Sequence, residues 1–403
     1  MKYTKEEILQ YVLEEDVKFI RLAFCDIFGK QKNISIMPSE LKRAFDFGVL
    51  FDASAIAGFG DITHSDLVLH PEPDTLTVLP WRPEHGRVVR MICTITYPDG
   101  TLFESDPRAI LKKAIETAKD AGYCFNFGTE MEFYLFKLDE MSNPTDIPCD
   151  QGSYMDVSPD DKGENVRRDI CLTLEQMGIQ PEGSHHEMGP GQNEIDFRYA
   201  DALTAADNAV IFNMTVKTIA QRNGMWADFS PKPIAGKPGN GMHINMSVKS
   251  KANDEDLIPR LVAGVLKNIS DMTLFLNPIE DSYKRLGEQK APRYISWAPE
   301  NRSQLIRIPA ASGPFERMEL RSPDPQANPY LAFALMIYAA LDGINNGLVP
   351  PEPSSLDMSS DNAAALAGYQ TLPQRHGDAV SCAVNSEFIA AHLPKDVINA
   401  YIK

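Results

Sequence analysis

The stretch FNFGTEMEFYLF, residues 125–136, reads as a β-strand with two unlike faces. Phe127, Met131, Phe133 and Leu135 hold odd positions, while Glu130, Glu132 and Tyr134 hold even ones. Side chains alternate across a strand, so both carboxylates leave one face and the apolar groups leave the other. Three further segments share this design. In 193–199, Ile195, Phe197 and Tyr199 alternate with Glu194, Asp196 and Arg198. In 242–248, Met242, Ile244, Met246 and Val248 alternate with His243, Asn245 and Ser247. In 317–321, Met318 and Leu320 alternate with Arg317, Glu319 and Arg321. Water satisfies the polar face of a lone half-buried strand. Four such faces without a lysine on any of them are more economically read as the lining of one pocket.

Around these strands the pattern predicts an α+β protein with an antiparallel sheet covered by helices. A helix over 4–16 opens at Thr4, with Glu7 placed for a capping box. Short β-branched and aromatic runs follow at VKFIRLAFCDIF (17–28), QKNISIM (31–37), DTLTVLPW (74–81) and RVVRMICTITY (87–97). Asp99-Gly100 closes that portion, and Ser105-Asp-Pro107 opens a helix, which places a domain boundary near 100: residues 1–100 and 101–403. Beyond it, helices are predicted over 106–121, 162–177, 202–223, 256–275 and 329–346. Strands are predicted over 124–137, 182–188, 193–199, 241–248 and 315–321. The Pro/Ser/Asp stretch 350–362 reads as a surface loop, with helical patterning after it.

The 403 residues carry a formal net charge of −17, which argues against non-specific nucleic-acid or anionic-membrane binding. A local arginine cluster can still hold an anionic substrate. Cys25, Cys93, Cys124, Cys149, Cys171 and Cys382 are scattered, with no Cys-x-x-Cys pair, as expected for a reducing compartment. The N-terminus is a charged amphipathic helix and not a signal peptide. The apolar run Leu331–Leu341 is too short for a bilayer, which takes ~20 residues. The expectation is a cytoplasmic protein.

Glutamates with one histidine are hard oxygen ligands plus a borderline nitrogen, a set that suits Mg²⁺ or Mn²⁺ better than zinc or copper. The sequence has no Gly-x-x-x-x-Gly-Lys-Ser/Thr loop. A nucleotide would therefore have its phosphates held by metal and arginines, for which Arg285, Arg302, Arg307, Arg317 and Arg321 are at hand.

The runs GTEMEFYLF (128–136), SHHEMGPGQNEIDF (184–197), GNGMHINMS (239–247), NRSQLIRIP (301–309) and RMELRSPDPQANPYL (317–331) resemble the motifs of bacterial type I glutamine synthetase. VKFIRLAFCDIFGKQKNISI (17–36) and FDASAIAGF (51–59) resemble its N-terminal domain. The resemblance implies a small β-grasp-like domain and a catalytic half-barrel. It implies a ligase that makes glutamine from glutamate, ammonium and ATP through a γ-glutamyl phosphate, with two or three Mg²⁺ or Mn²⁺ per site. It also implies a homo-oligomer, a hexameric ring or a dodecamer, with active sites between neighbouring subunits.

By position, Glu132, Glu187 and Glu194 resemble the ligands of the metal beside glutamate. Glu130, His243 and Glu319 resemble those of the metal beside the ATP phosphates. Arg285, Gly239 and Arg321 resemble the glutamate-holding groups, with Glu132 and His243 beside the substrate. Arg302, Arg307 and Arg317 resemble the phosphate-facing groups, and Glu182, Asn245 and Ser247 the nucleotide contacts. Asp52, supplied by a neighbouring subunit, resembles the acid that deprotonates ammonium.

The chain departs from the family in YKRLGEQKAP (283–292), where the family usually reads Arg-Leu-Val-Pro-Gly-Tyr-Glu-Ala-Pro in a flap over glutamate. Anchored on the Ala-Pro that follows, the flap glutamate position is Lys290, and Glu288 is the alternative acid. FDASAI puts Ala53 and Ala55 where the family has glycine and serine, and Pro238 replaces a common asparagine. The sequence ends at DVINAYIK, where the family continues into a helix that reaches the opposite ring; a single hexameric ring does not depend on that helix, and one ring or two stays open. Three readings stay open: a glutamine synthetase, a γ-glutamyl ligase using another amine, or a non-catalytic metal- and nucleotide-binding paralogue.

Overall fold

The computed structural model describes residues 3–60, 62–82, 85–251, 256–310, 317–359 and 363–403. Helix α1 (Lys5–Glu14) opens on the expected capping box. The Thr4 hydroxyl accepts the Glu7 N–H (3.1 Å), and the Glu7 carboxylate accepts the Thr4 N–H (2.7 Å). Then come β1 (Val17–Cys25), β2 (Gln31–Ile36), α2 (Leu41–Phe47), β3 (Val49–Asp52), β4 (Asp66–Pro71), β5 (Thr77–Val78) and β6 (Arg87–Thr96). The described strands form a sheet in the order β2-β1-β6-β4-β3, with β5 on β6 and the β1/β6 pair parallel.

Two sequence expectations are corrected here. The strand read over 17–28 stops at Cys25, because the Asp26 carboxylate accepts the N–H groups of Phe28 (3.0 Å) and Lys30 (2.9 Å) and folds the chain into a turn. The run 74–81 is a strand only at Thr77–Val78. A short turn of 3₁₀ helix at Pro73–Thr75 precedes it, and Pro80 has no N–H to give a ladder. Strands β3 and β4 escaped the sequence reading.

Helix α3 (Pro107–Asp120) starts where Ser-Asp-Pro placed it, with the Asp106 carboxylate accepting the Arg108 N–H at 3.0 Å. The larger part continues through β7 (Tyr123–Leu138), β8 (Pro144–Pro148), α4 (Glu164–Gln176), β9 (Pro181–His186), β10 (Gln192–Phe197), β11 (Ala200–Asp201), α5 (Ala202–Arg222) and β12 (Met225–Asp228). It goes on through β13 (Met242–Ser250), α6 (Ile258–Leu276), α7 (Glu280–Arg285), β14 (Trp297–Pro299), β15 (Ile306–Ile308), β16 (Met318–Leu320) and α8 (Pro329–Asn345). Four short helices close the chain: α9 (Ala363–Leu366), α10 (His376–Asn385), α11 (Glu387–His392) and α12 (Lys395–Tyr401). The fold is α+β, as the patterning predicted.

The main path of the second sheet runs β14-β15-β16-β13-β7-β10-β9. The four patterned segments are thus four consecutive antiparallel neighbours, β16, β13, β7 and β10. Their apolar faces form the core against the helices. Phe127 stacks on Phe333 of α8, with ring centroids 4.3 Å apart, and Phe133 packs on Phe229 and Phe212. Helices α6 and α8 cross where a Cβ on Gly264 would stand 2.0 Å from the Ala339 carbonyl, so only glycine fits. One register detail is corrected: Tyr199, placed on the apolar face, lies past the end of β10 and is exposed. Residues 315–316 of the strand expected over 315–321, and 360–362 of the loop expected over 350–362, lie outside the described residues.

The two sheets meet through charge as well as apolar packing. Arg108 of α3 bonds Glu72 of the N-terminal part (2.8 Å) and Asp207 of α5 (2.9 Å), and Asp207 accepts the Tyr330 hydroxyl at 2.7 Å. Among the described residues, no helix is long and apolar enough to cross a membrane.

Candidate active site

Strand register builds the site. Glu130 of β7 pairs with His243 of β13 on one side and Asp196 of β10 on the other. Glu132, one step along the same face, pairs with Glu194 of β10, which in turn faces His185 of β9. Glu319 of β16 pairs with Asn245 of β13 and with Arg307 of β15. A face that is hydrophilic on every strand becomes the wall of a cavity of about 470 Å³.

Two groups of ligating atoms stand on that wall, each with its atoms within 4.8 Å of one another: Glu130, His243 and Glu319, and His185, Glu187 and Glu194. In the first, His243 Nδ1 lies 3.3 Å from Glu130 and 3.6 Å from the fully buried Glu319. Arg321 (2.5 Å) and Arg307 (2.7 Å) clamp the two Glu319 oxygens. Asn245 donates to Glu130 (2.9 Å) and accepts from Arg317 (2.8 Å). In the second group, His185 lies 3.7 Å from Glu194 and 3.9 Å from Glu187. Glu132 stands beside it, accepting the Gly241 N–H (2.7 Å) and the Gln192 amide (3.3 Å).

The electrostatics differ between the groups. Burial presses the Glu130 carboxyl upward, but His243, Asn245 and Arg321 outweigh it and hold the group down to about 2. Glu194 is pushed well above the carboxylate range by burial and then by Glu132 and Asp196. Burial and Glu132 raise Glu187; burial and Glu130 lift Asp196 to about 6. Crowded anions of this kind are what a divalent cation relieves. The donor set of carboxylates with an imidazole in each group fits a hard divalent ion.

Behind the acids lies a cationic side. Arg285 is buried and donates to the carbonyls of Ser322 (2.7 Å) and Arg321 (3.3 Å). The loop before β13 squeezes past it: a Cβ on Gly239 would sit 2.3 Å from the Pro231 carbonyl and 2.9 Å from Arg285 Cγ. Tyr134, the third polar-face residue of β7, holds this loop by donating to the Pro238 carbonyl at 2.7 Å.

The structure brings most of the sequence-derived positions together. Glu130, Glu132, Glu187, Glu194, His243, Gly239, Arg285, Lys290, Arg302, Arg307, Arg317 and Arg321 line the one cavity. Glu319 and Asn245 stand directly behind, bonded to lining residues. Three positions lie elsewhere. Glu182 is exposed and faces Arg198 at 3.7 Å. Ser247 sits further along β13, opposite Asn126. Asp52 is exposed at the end of β3, its carboxylate accepting the Ser54 N–H (2.9 Å) and hydroxyl (2.6 Å), which holds its pKa below the usual value. Sequence reasoning gave no role to His185, Asp196, Gln192 or Tyr154. The first three were legible as neighbours of Glu187 and Glu194 on alternating strands; Tyr154 sits in a loop without any periodic signal.

Paired cation sites between arginines serve chemistry in which two anions are brought together, and this face defines a divalent-metal enzyme with anionic reactants. Comparison with known proteins gives the family. Residues 104–403 match the family model for the glutamine synthetase catalytic domain, and residues 16–98 match that for the glutamine synthetase beta-Grasp domain. The chain belongs to the glutamine synthetase family, ATP- and divalent-metal-dependent ligases that form a carbon–nitrogen bond.

Glutamine synthetase of Clostridium saccharobutylicum is 46% identical over all of this chain and 94% of its own length. That of Methanosarcina mazei is 46% identical over 99% of this chain and 92% of its own length. That of Staphylococcus aureus is 45% identical over 99% of this chain and 93% of its own length. A solved GmaS/ADP complex superposes with a TM-score of 0.88 at 28% identity, covering 98% of this chain and 93% of that one.

Proposed function

We propose that the chain joins an amine to the γ-carboxylate of glutamate at the expense of ATP, with ammonium as the acceptor the family reading implies. The observation that carries this is the run of four neighbouring strands whose polar faces hold both carboxylate groups inside one arginine-walled cavity. In this reading Glu130, His243 and Glu319 hold a metal beside the ATP phosphates, and Glu132, Glu187 and Glu194 hold one beside glutamate. Mg²⁺ or Mn²⁺ fits these donors; bound there, such ions supply charge neutralisation on the transferring phosphoryl oxygens.

The chain's own groups do the rest. Arg285, Arg321 and the backbone at Gly239 orient glutamate, while Arg302, Arg307 and Arg317 face phosphate, and Asn245 fixes Arg317 and Glu130 together. The γ-carboxylate attacks the terminal phosphorus, ADP leaves, and the amine then displaces phosphate from the acyl carbon. The position of Asp52, exposed and outside its own cavity, supports a neighbouring subunit's Asp52 completing each site in a ring. Phe47, Leu50 and Ile62, all strongly exposed near it, supply an apolar surface for that contact. The working division is a domain of residues 1–100 and one of 101–403. Six free cysteines fit a cytoplasmic setting.

Phosphate release is the test. It should need glutamate, Mg²⁺-ATP and an amine together; release indifferent to glutamate would overturn the reading.

A further inference from the structure

The Glu132 oxygen that accepts the Gly241 N–H also accepts the side-chain amide of Gln192. Gln192 opens β10 and is 1% exposed, yet it lines the cavity. Its Oε1 accepts the Gly189 N–H at 3.0 Å, which fixes the two ends of the amide. Nε2 then faces three acceptors: Glu132 Oε2 at 3.3 Å, the Gly239 carbonyl at 3.2 Å and Asn240 Oδ1 at 3.3 Å. The amide has two hydrogens, so three acceptors share them, each beyond the usual ~2.9–3.0 Å. What Glu132 gains from Gln192 is withdrawn from the loop before β13, and conversely. The other side-chain holds on that loop stop short of the carboxylates. Tyr134 bonds the Pro238 carbonyl, and the Asn240 amide donates to the carbonyls of Asp228 (3.1 Å) and Ser230 (2.9 Å). Among the described residues, the Gly241 N–H and the Gln192 amide are the two donors to the Glu132 carboxylate.

We propose that Gln192 is a positioning residue shared by the metal ligand Glu132 and the glutamate-holding loop at Gly239, so that neither is set without the other. This rests on the roles given to Glu132 and Gly239 above. With its other oxygen given to a divalent ion, Glu132 keeps less charge on Oε2 to hold the amide. The amide then shifts toward the Gly239 carbonyl and firms the loop against which glutamate is held. Such coupling is reciprocal: a loop fixed by glutamate fixes Gln192, and through it the orientation of Glu132.

The experiment reads binding on the full chain, without turnover. Half-saturation by Mg²⁺ is taken from the rise in Tm. Glutamate Kd is taken from calorimetry at saturating Mg²⁺ with a non-hydrolysable ATP analogue. Wild type is compared with Gln192→Met, which keeps the length and loses both polar ends, and with Tyr134→Phe, which frees the same loop at Pro238 alone. In Gln192→Met, Mg²⁺ half-saturation should rise about ten-fold or more and glutamate Kd about five-fold or more. In Tyr134→Phe, glutamate should weaken while Mg²⁺ half-saturation stays within about two-fold, because no bond to Glu132 is lost. Gln192→Asn, whose amide stops one methylene short, repeats the comparison if Gln192→Met does not fold. A lowered Tm with both affinities unchanged, or with one of them moved alone, overturns the shared role of Gln192. So does an equal loss of Mg²⁺ affinity in Tyr134→Phe. A wild type that shows no Mg²⁺-dependent shift, or binds no glutamate, overturns the site reading itself and this inference with it.

Discussion

The Lys232 ammonium, on a side chain only 6% exposed, holds the Glu288 carboxylate two residues before Lys290, and also donates to the Lys237 carbonyl at 2.7 Å. Glu288 lines the cavity but is committed to that partner. An acid whose carboxylate is already engaged by a lysine is not placed to reach a substrate proton, which a general base must do. Glu288→Gln should therefore change kcat/KM less than about three-fold, while a catalytic base would lose on the order of 100-fold or more. Steady-state kinetics with ammonium decides between them. The exposed half of this pair limits its contribution to stability to about 1 kcal/mol.

Metal affinity should rise with pH, and so should the stabilisation that metal brings. Glu194, Glu187 and Asp196 all have folded pKa values raised by burial and mutual repulsion, Asp196 to about 6. For such acids the native state holds more protons than the unfolded one. Their contribution to stability is complete below the unfolded carboxylate pKa and is lost as pH rises through the folded value. The metal-free protein thus carries uncompensated repulsion at pH 7.5 that protons relieve at pH 5.5. A divalent ion competes with those protons and should raise Tm more at pH 7.5. Glu194→Gln should raise the metal-free Tm at pH 7.5 and shrink the metal-induced shift. Equal shifts at both pH values would refute the linkage.

The alternation of residues 125–136 was enough to foresee the central strand, its two faces and its carboxylates, because a half-buried antiparallel strand writes its burial into every second residue. The same period placed Glu194, His243 and Glu319 on neighbouring faces, and register then set Glu194 opposite Glu132, His243 opposite Glu130 and Glu319 opposite Asn245. What stayed hidden lacks a period. Strands β3, β8, β11, β14 and β15 have two to five residues, too few for alternation to stand out. Tyr154 reaches the cavity from a loop, and Lys232 meets Glu288 across 56 residues of sequence, a separation no local pattern encodes. Lys290 could be singled out from the family resemblance, but its place over the Tyr154 ring could not.

Glu130 and Glu319 look alike as ligands, yet their substitutions should behave differently. Glu319 is fully buried between two guanidinium groups, and Glu319→Gln leaves Arg307 and Arg321 with an uncompensated charge in a dry site. Breaking such a pair costs about 3–5 kcal/mol. Glu130 is partly exposed and its hydrogen-bond neighbours are His243 and the Asn245 amide, with no guanidinium among the described residues bonded to it; Glu130→Gln should cost about 1 kcal/mol. Both should abolish detectable turnover. Urea unfolding of the metal-free variants separates them, and equal midpoints would show that the Glu319 clamp is energetically idle.

Asp150 supports the metal-facing edge of the sheet from behind. Fully inside the protein, it accepts His186 Nε2 at 3.0 Å, the N–H groups of Gly191 (2.8 Å) and Gly152 (3.1 Å), and that of Lys162 (2.9 Å). His186 in turn bonds the Glu187 carbonyl through Nδ1 at 2.6 Å, which fixes the backbone from which the Glu187 carboxylate projects into the cavity. These bonds, with His186 foremost, overcome burial and hold the Asp150 pKa far below the usual carboxylate value. Its contribution is therefore present above the unfolded pKa and is lost as pH falls through the folded one. Asp150→Ala leaves several buried donors unpaired and should cost about 3 kcal/mol or more. The metal response discriminates support of the site from support of the fold alone. If the network positions Glu187, half-saturation by Mg²⁺ should rise about ten-fold or more in Asp150→Ala at a temperature where the variant is folded, as loss of a ligand-orienting partner does elsewhere. An unchanged Mg²⁺ requirement beside a lowered Tm would confine Asp150 to holding the loop of residues 150–163 in place.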